Sequence, residues 1–161
     1  ANLIYKTAAG EDRLMTYESL SDGGFATGSM LGSGGFIVYD DRACIVRNTW
    51  NFSRFYHHES CGQCTPCREG TGWLEKVLHR IENGHGREED IELLWSIQSK
   101  IEGNTICPLG DAASWPVAAA IRHFKDEFEY HIRFPEKVKN RDHFVAEPFE
   151  KVRHLVAKQE V

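Results

Sequence analysis

Three cysteines within a seven-residue stretch carry the most distinctive chemistry of this sequence. Cys61, Cys64 and Cys67 form a C-x2-C-x2-C motif, and Cys107, followed by Pro108, lies far downstream. A loop with this spacing directs three thiolates toward one centre, and a Cys-Pro pair often marks the fourth thiolate ligand in iron–sulfur motifs. The pattern therefore predicts a metal or redox site with four cysteine ligands.

Zinc is the main alternative occupant of such a site. Structural zinc sites usually combine two C-x2-C pairs, whereas three cysteines in one short loop are typical of a [4Fe–4S] cluster. The spacing therefore favours a cluster held by Cys61, Cys64, Cys67 and Cys107. An odd count of five cysteines, without a signal-peptide core, argues against a secreted disulfide framework. The fifth, Cys44, is interpreted as a small core residue of an alternating apolar strand.

Two helices must bring Cys107 back to the three-cysteine loop. Apolar residues at helical spacing predict one helix from 66 to about 82 and another from 88 to 101. At ~1.5 Å per residue, these helices rise about 26 Å and about 21 Å. Residues 102–107 can bridge the difference, because an extended chain advances up to ~3.3 Å per residue. An antiparallel helical hairpin therefore closes the site.

The same spacing predicts four helices, three of them long, and hence a mainly α fold built on a small four-helix bundle. A short helix at 50–58 precedes the cysteine loop, and a long helix at about 112–133 ends the bundle. Thr65 and Asp111 are the expected N-caps of the second and last helices. The last helix is expected to bury a stripe made up of Val117, Ile121, Phe124 and Phe128.

The residues before the bundle favour strands and turns. Short strands are predicted at 14–17, 36–39 and 43–46, with a hairpin turn at 40–42. So few strands do not make a self-sufficient domain. Residues 1–47 are therefore interpreted as the end of a larger β-containing domain that begins outside this sequence.

The chain thus divides into three predicted segments. Residues 1–47 are the remnant of the β-containing domain, and residues 48–134 form the helical domain that binds the cluster. Residues 135–161 form an extended tail, because prolines interrupt it and its charges are dense. Within this tail, residues 149–156 have the apolar spacing of one amphipathic helix.

Composition excludes several classes of protein. The 161 residues are 41% hydrophobic and 27% charged, which suits a packed core and not global disorder. A net charge of −5 argues against a nucleic-acid partner, which would call for a basic excess. The best apolar run, at 117–121, is far shorter than the roughly 18 residues of a membrane span, so no direct membrane insertion is expected.

Two segments resemble a known family. Residues 59–70 (ESCGQCTPCREG) and 105–117 (TICPLGDAASWPV) are similar to the NADH-binding flavoprotein subunit of respiratory complex I. The same signature occurs in NAD-reducing hydrogenases and formate dehydrogenases. The resemblance covers only the C-terminal part of that subunit. It matches residues 1–47 to the end of a ubiquitin-like β-grasp domain and residues 48 to about 134 to the iron–sulfur helical domain.

The resemblance implies that the four cysteines hold one [4Fe–4S] cluster, which takes electrons from FMN reduced by NADH. In the family, an earlier domain outside this sequence binds FMN and NADH. The implied partners are a thioredoxin-like [2Fe–2S] subunit and a large multi-cluster subunit of an NADH:quinone oxidoreductase. The implied location is its peripheral arm on the cytoplasmic side, or the mitochondrial matrix in a eukaryote. This chain alone is not expected to oxidise NADH.

Two alternatives stay open. The same relay could belong to a soluble NAD-reducing hydrogenase or formate dehydrogenase, or the cysteines could hold zinc in a module that only scaffolds an assembly.

The remaining candidate residues are given structural roles. The histidines expected on solvent-exposed helix surfaces are His57, His58, His123 and His131. The tryptophans expected to pack within the bundle, not to relay electrons, are Trp73, Trp95 and Trp115.

Overall fold

The computed structural model describes residues 4–6, 11–14, 16, 37–39 and 42–139. The chain forms two compact units, Ala1–Val38 and Tyr39–Val161. In the first unit, strands β1 (Ile4–Lys6) and β2 (Asp12–Leu14) pair antiparallel, with Ile4 opposite Leu14.

The described part of the second unit is helical. Its helices are α1 (Ile45–Glu59), α2 (Thr65–Glu82), α3 (Asp90–Ile101), α4 (Leu109–Arg133) and the short α5 (Pro135–Lys139). Helix α2 packs against α1, α3 and α4, and α4 also packs against α1 and α3. The largest buried apolar side chains between them are Leu74, Leu78, Ile81, Leu94, Ile101 and Phe128. The predicted mainly α architecture is therefore confirmed. No helix among the described residues combines the length and apolarity needed to cross a bilayer.

The strand predicted at 43–46 is wrong, because this segment starts α1. Cys44 is the N-cap, and its sulfur accepts a hydrogen bond from the Arg47 amide at 3.4 Å. The helix buries Val46, Thr49 and Ser53. Two of these three residues are polar, so a search for apolar residues does not detect their helical spacing. The helix predicted at 50–58 therefore begins five residues earlier than predicted.

The β-grasp segment predicted for residues 1–47 is not confirmed. Residues 37–39 lie outside any strand, although a strand was predicted at 36–39. The described strand β2 ends at Leu14, where a strand from 14 to 17 was predicted. The amphipathic helix predicted at 149–156 lies outside the described residues.

Helix α4 differs from its prediction at its start and near its middle. It begins at Leu109, about three residues before the predicted start. Phe124 has non-helical torsion angles, φ −134° and ψ 30°, and a kink there joins two helical stretches. The kink turns the Phe124 side chain outward, so that it is 46% exposed, while Val117, Ile121 and Phe128 of the predicted stripe are buried.

The α2–α3 hairpin is held at both ends. At the turn, the fully buried Asp90 carboxylate accepts hydrogen bonds from the Arg80 guanidinium, with Nε–Oδ2 at 2.7 Å, and from the Arg87 amide at 3.0 Å. At the open end, Gly70 lets α3 approach closely, since a Cβ there would lie 2.7 Å from Ile101. The hairpin thereby carries the chain from Cys67 back to the segment that contains Cys107.

We expect Asp90→Ala to lower the free energy of unfolding by about 2–3 kcal/mol, because it leaves the Arg80 guanidinium and the Arg87 amide without a buried acceptor. Urea unfolding followed by circular dichroism measures the change. The neighbouring Glu89→Ala is the matched control. Its exposed carboxylate meets Arg87 only at 4.0 Å, so we expect a change of about 0.5 kcal/mol or less. Equal losses in both variants would contradict the role given to Asp90.

Candidate metal centre

The three-cysteine motif spans the junction between α1 and α2. Cys61 lies in the connection, Cys64 is the N-cap of α2, and Cys67 lies in the first turn of that helix. The N-cap predicted at Thr65 is therefore wrong by one residue. The sulfur of Cys64 makes no capping hydrogen bond to α2, and Pro66 in the first turn needs no amide partner there. The Cys64 sulfur thus remains available as a ligand.

Gly62 and Arg68 shape the loop around these cysteines. Gly62 has a φ of +75°, a conformation that residues with a side chain rarely adopt. The guanidinium of Arg68 donates to the Gly62 carbonyl oxygen at 2.8 Å and pairs with Glu69 at 3.0 Å. Ser60 Oγ lies 3.2 Å from the Cys67 sulfur and accepts from the Gly62 amide at 3.3 Å. These contacts therefore fix the backbone conformation of the loop next to Cys61.

The second cysteine segment is closed by hydrogen bonds between the end of α3 and the start of α4. Gly103, with a φ of +71°, ends α3, and its amide donates to Asp111 Oδ1 at 2.8 Å. The Trp115 indole donates to Glu102 at 2.9 Å, and the Thr105 hydroxyl donates to the Cys107 carbonyl at 2.9 Å. Asp111 therefore closes this loop and does not cap α4, so the predicted cap is wrong.

One hydrogen bond joins the two cysteine segments. The Ile106 amide donates to the Cys64 sulfur at 3.4 Å, although 42 residues separate them. Cys67 is buried, Cys64 is half-buried, and Cys61 and Cys107 are exposed. The residue preceding Cys107 thus lies against the three-cysteine loop, as the helical-hairpin argument predicts.

Helix ends add positive potential at this place. The N-terminus of α2 falls at the three-cysteine loop, and the N-terminus of α4 directly follows Cys107 and Pro108. Each helix N-terminus carries about half a positive elementary charge from its unpaired amides. The arrangement suits a group that is negatively charged with its thiolate ligands.

The predictions for the histidines near the site are confirmed at two positions, whereas those for two of the tryptophans are wrong. His57 and His58 are both exposed as predicted, and His57 also pairs with Glu75 at 2.5 Å across α1 and α2. Packing inside the bundle is wrong for Trp73 and Trp95, which are 53% and 41% exposed. The Trp95 ring instead stacks under the Arg122 guanidinium, 5.7 Å from the ring centroid.

A second cluster of metal-binding residue types was missed from the sequence. Cys44, Glu82 and His131 meet in the interior, with their potential ligand atoms all within 4.8 Å of one another. His131 is 2% exposed, so its predicted place on the surface is wrong. The predicted burial of Cys44 is confirmed, but its neighbours are polar. Sequence spacing gives no signal for this cluster, because its members come from three places distant in the chain, the N-cap of α1, the end of α2 and the end of α4.

The family model described as the NADH-ubiquinone oxidoreductase-F iron–sulfur binding region matches residues 47–131, more than half of the chain. The chain belongs to this family. The matched region contains Cys61, Cys64, Cys67 and Cys107, whereas Cys44 lies outside it.

Curated relatives support the same assignment. An NADH-quinone oxidoreductase subunit of Rickettsia typhi is 50% identical over 119 residues, which are 74% of this chain and 27% of the relative. The corresponding protein of Rhizobium meliloti is 45% identical over 122 residues, 76% of this chain and 27% of the relative. The mitochondrial 51 kDa subunit of NADH-ubiquinone oxidoreductase in Neurospora crassa is 46% identical over 123 residues, 76% of this chain and 24% of the relative. The chain spans about a quarter of the length of these oxidoreductase subunits.

A solved structure of similar fold belongs to another oxidoreductase. The crystal structure of an NAD+-reducing [NiFe]-hydrogenase in the H2-reduced state superposes with a TM-score of 0.63 and 30% identity. The match covers 78% of this chain and 20% of the hydrogenase chain. The fold of this family thus occurs in both kinds of enzyme.

We expect Gly110→Ala to lower the iron that the chain binds on anaerobic reconstitution. A Cβ at Gly110 would lie 2.5 Å from the Cγ2 and Oγ1 atoms of Thr105, whose hydroxyl is bonded to the Cys107 carbonyl. The clash should destabilise the loop between α3 and α4 by about 1–3 kcal/mol and displace Cys107. Iron and acid-labile sulfide per chain are the measurement.

Thr105→Ala supplies the control background, because it removes the two atoms at 2.5 Å and leaves only the Thr105 Cβ, at 3.0 Å. In that background, Gly110→Ala should lower iron binding much less than it does alone. An equal loss of iron in the two backgrounds would show that the contact with Thr105 is not the cause.

Proposed function

We propose that Cys61, Cys64, Cys67 and Cys107 bind one [4Fe–4S] cluster and that the chain relays single electrons through it. The observation that carries the proposal is the hydrogen bond from the Ile106 amide to the Cys64 sulfur, which joins the two cysteine segments in a chain of an iron–sulfur family. Four thiolates, one for each iron, are the ligand set that such a cluster requires.

The donor set of the chain fits this group. The four residues supply sulfur only, and the Ile106 amide already donates to one of these sulfurs. When bound, the cluster supplies a one-electron carrier whose potential depends on charge, solvent exposure and hydrogen bonds to sulfur.

The surroundings of the cysteines adjust the charge of the site. The amides at the N-termini of α2 and α4 favour the more negative, reduced state, and Arg68 adds a cation on the loop. Exposed Cys61 and Cys107 place the site at the surface of the described helices, where a redox partner can approach. Buried Cys67 anchors the same proposed site in the bundle.

The electron donor and acceptor lie on other parts of the assembly. We propose that FMN and NADH bind to a flavoprotein domain outside this sequence, in an NADH:quinone oxidoreductase. The proposed acceptors are its thioredoxin-like [2Fe–2S] subunit and its large multi-cluster subunit, in the peripheral arm on the cytoplasmic or matrix side. The names of the relatives, which are 45% to 50% identical to this chain, support the NADH:quinone oxidoreductase setting. The FMN site and the two acceptor subunits are what the family resemblance implies. The three proposed segments are a β-domain remnant at 1–47, a cluster domain at 48–134 and a tail at 135–161. The helices move both bounds of the cluster domain, since α1 begins at Ile45 and α5 (Pro135–Lys139) lies beyond residue 134.

A soluble NAD-reducing hydrogenase is the second candidate setting, favoured by the hydrogenase structure that shares the fold. Co-purification distinguishes the two settings. A quinone-reducing membrane assembly supports the first, and a hydrogen-oxidising soluble assembly supports the second.

We expect Cys107→Ala to abolish cluster binding, whereas Cys44→Ala should bind as much iron as the unchanged chain. Only Cys107 completes the set of four thiolates, because Cys44 lies about 22 Å away at the other end of α1, at ~1.5 Å per residue. The measurements are iron and sulfide per chain, the broad visible absorption of the brown protein, and electron paramagnetic resonance after reduction by dithionite.

Equal iron contents in the two variants would contradict the ligand set. A colourless, anaerobically purified chain with zinc coordinated by four sulfurs would instead support the scaffolding module. NADH oxidation by the chain alone, measured by ferricyanide reduction, should be absent, since the proposed flavin site lies outside this sequence.

A further inference from the structure

Three metal-binding side chains meet at the end of the bundle remote from the cysteine loop. Cys44 precedes the first turn of α1, Glu82 ends α2, and His131 lies near the end of α4. They are 5%, 7% and 2% exposed, respectively. Three elements that are distant in sequence thus place a thiol, a carboxylate and an imidazole in one buried space.

The distances between these groups match the edges of a coordination tetrahedron. Cys44 Sγ lies 3.3 Å from His131 Nε2 and 3.9 Å from Glu82 Oε2, and the latter two atoms are 3.6 Å apart. Zinc binds sulfur at about 2.3 Å and nitrogen or oxygen at about 2.0–2.2 Å, which separates tetrahedral ligand atoms by about 3.4–3.6 Å. An ion at the centre would require shifts of only a few tenths of an ångström.

The orientation of His131 is also that of a metal ligand. Its Nδ1 lies 2.8 Å from the carbonyl oxygen of Glu127. A carbonyl oxygen can only accept, so Nδ1 carries the hydrogen and the lone pair of Nε2 points toward Cys44 and Glu82. Metal-binding histidines commonly donate their other ring N–H in this way, which fixes the tautomer and the ring orientation.

The charges of this space favour a cation. The carboxyl groups of Glu82 and Glu127 are both buried beside Cys44, and Glu127 Oε1 accepts from the Ile45 amide at 2.8 Å. Arg47 reaches Glu82 only at 3.9 Å from a partly exposed position. A divalent cation here would offset the negative charge of the acidic groups.

We propose that Cys44 Sγ, Glu82 Oε2 and His131 Nε2 bind one zinc ion, with water as the fourth ligand. A mixed sulfur, nitrogen and oxygen set suits zinc and does not suit magnesium or calcium, which take oxygen ligands. Binding replaces the thiol proton of Cys44, which leaves to the solvent. The ion joins the ends of α1, α2 and α4, so its role is structural.

This zinc site is independent of the proposed cluster. Helix α1 has 15 residues, which at ~1.5 Å per residue separates its two ends by about 22 Å. The ligand sets share no residue. Loss of one metal therefore leaves the other in place, and the two proposals fail separately.

The test loads the full chain anaerobically with iron and sulfide, adds zinc sulfate, and removes unbound metal by desalting. We expect about one zinc per chain besides the iron. Zinc-edge X-ray absorption should report one sulfur neighbour at about 2.3 Å, with nitrogen or oxygen completing the shell. The absorption edge is specific to zinc, so the iron site does not obscure it.

Matched variants decide which residues hold the zinc. Cys44→Ser retains an oxygen that can cap α1, and Glu82→Gln keeps the size of the side chain, so the fold should persist. Both variants should bind zinc at least about tenfold more weakly, with unchanged iron. Cys64→Ser is the reciprocal control and should lose iron while it retains zinc.

Three results would overturn the proposal. The first is no zinc in the iron-loaded chain, which would make the three residues a hydrogen-bonded cluster that holds protons. The second is a zinc shell of four sulfurs, which would place the ion in the cysteine loop. The third is full zinc binding by both Cys44→Ser and Glu82→Gln.

Discussion

The cysteine site depends on the return of the chain from α3 to the start of α2. A four-thiolate site of this kind needs one ligand from outside the three-cysteine loop, and the fourth cysteine lies 40 residues beyond Cys67. The pair between half-buried Arg80 and buried Asp90 sets the turn between α2 and α3, and Gly70 lets the two helices approach at their other end. The Ile106 amide then reaches the Cys64 sulfur. Packing and hydrogen bonding far from the sulfurs thereby position them.

The two ends of the bundle differ in electrostatic character. At the cysteine end, the N-termini of α2 and α4 and the Arg68 side chain supply positive potential for an anionic group. At the other end, α2 contributes its last residue, Glu82, and α4 contributes Glu127 and His131, all buried. Buried acidic groups destabilise a fold unless they keep their protons or meet a cation. The same helices therefore offer positive potential to the proposed cluster at one end and acidic groups to the proposed zinc ion at the other.

Local spacing predicted most of the bundle and the cysteine motif of the proposed site. The C-x2-C-x2-C motif, the apolar stripe of α2 and the rise per residue of a helix together predict the hairpin that returns to Cys107. These signals are readable because each depends on neighbours within a few residues. The start of α1 was missed for the same reason, because its buried face carries Thr49 and Ser53, whose burial depends on α2 and α4.

By itself, the sequence determined which sulfurs belong to one motif, where the long helices run and that the second cysteine segment can reach the first. Tertiary structure alone decided that α1 begins at Ile45, that Phe124 interrupts α4, and that His131 is buried beside Cys44 and Glu82. The physical reason is that periodicity records which face of a helix is apolar. The partners of a buried polar side chain come from other helices, and only the packed bundle brings them together.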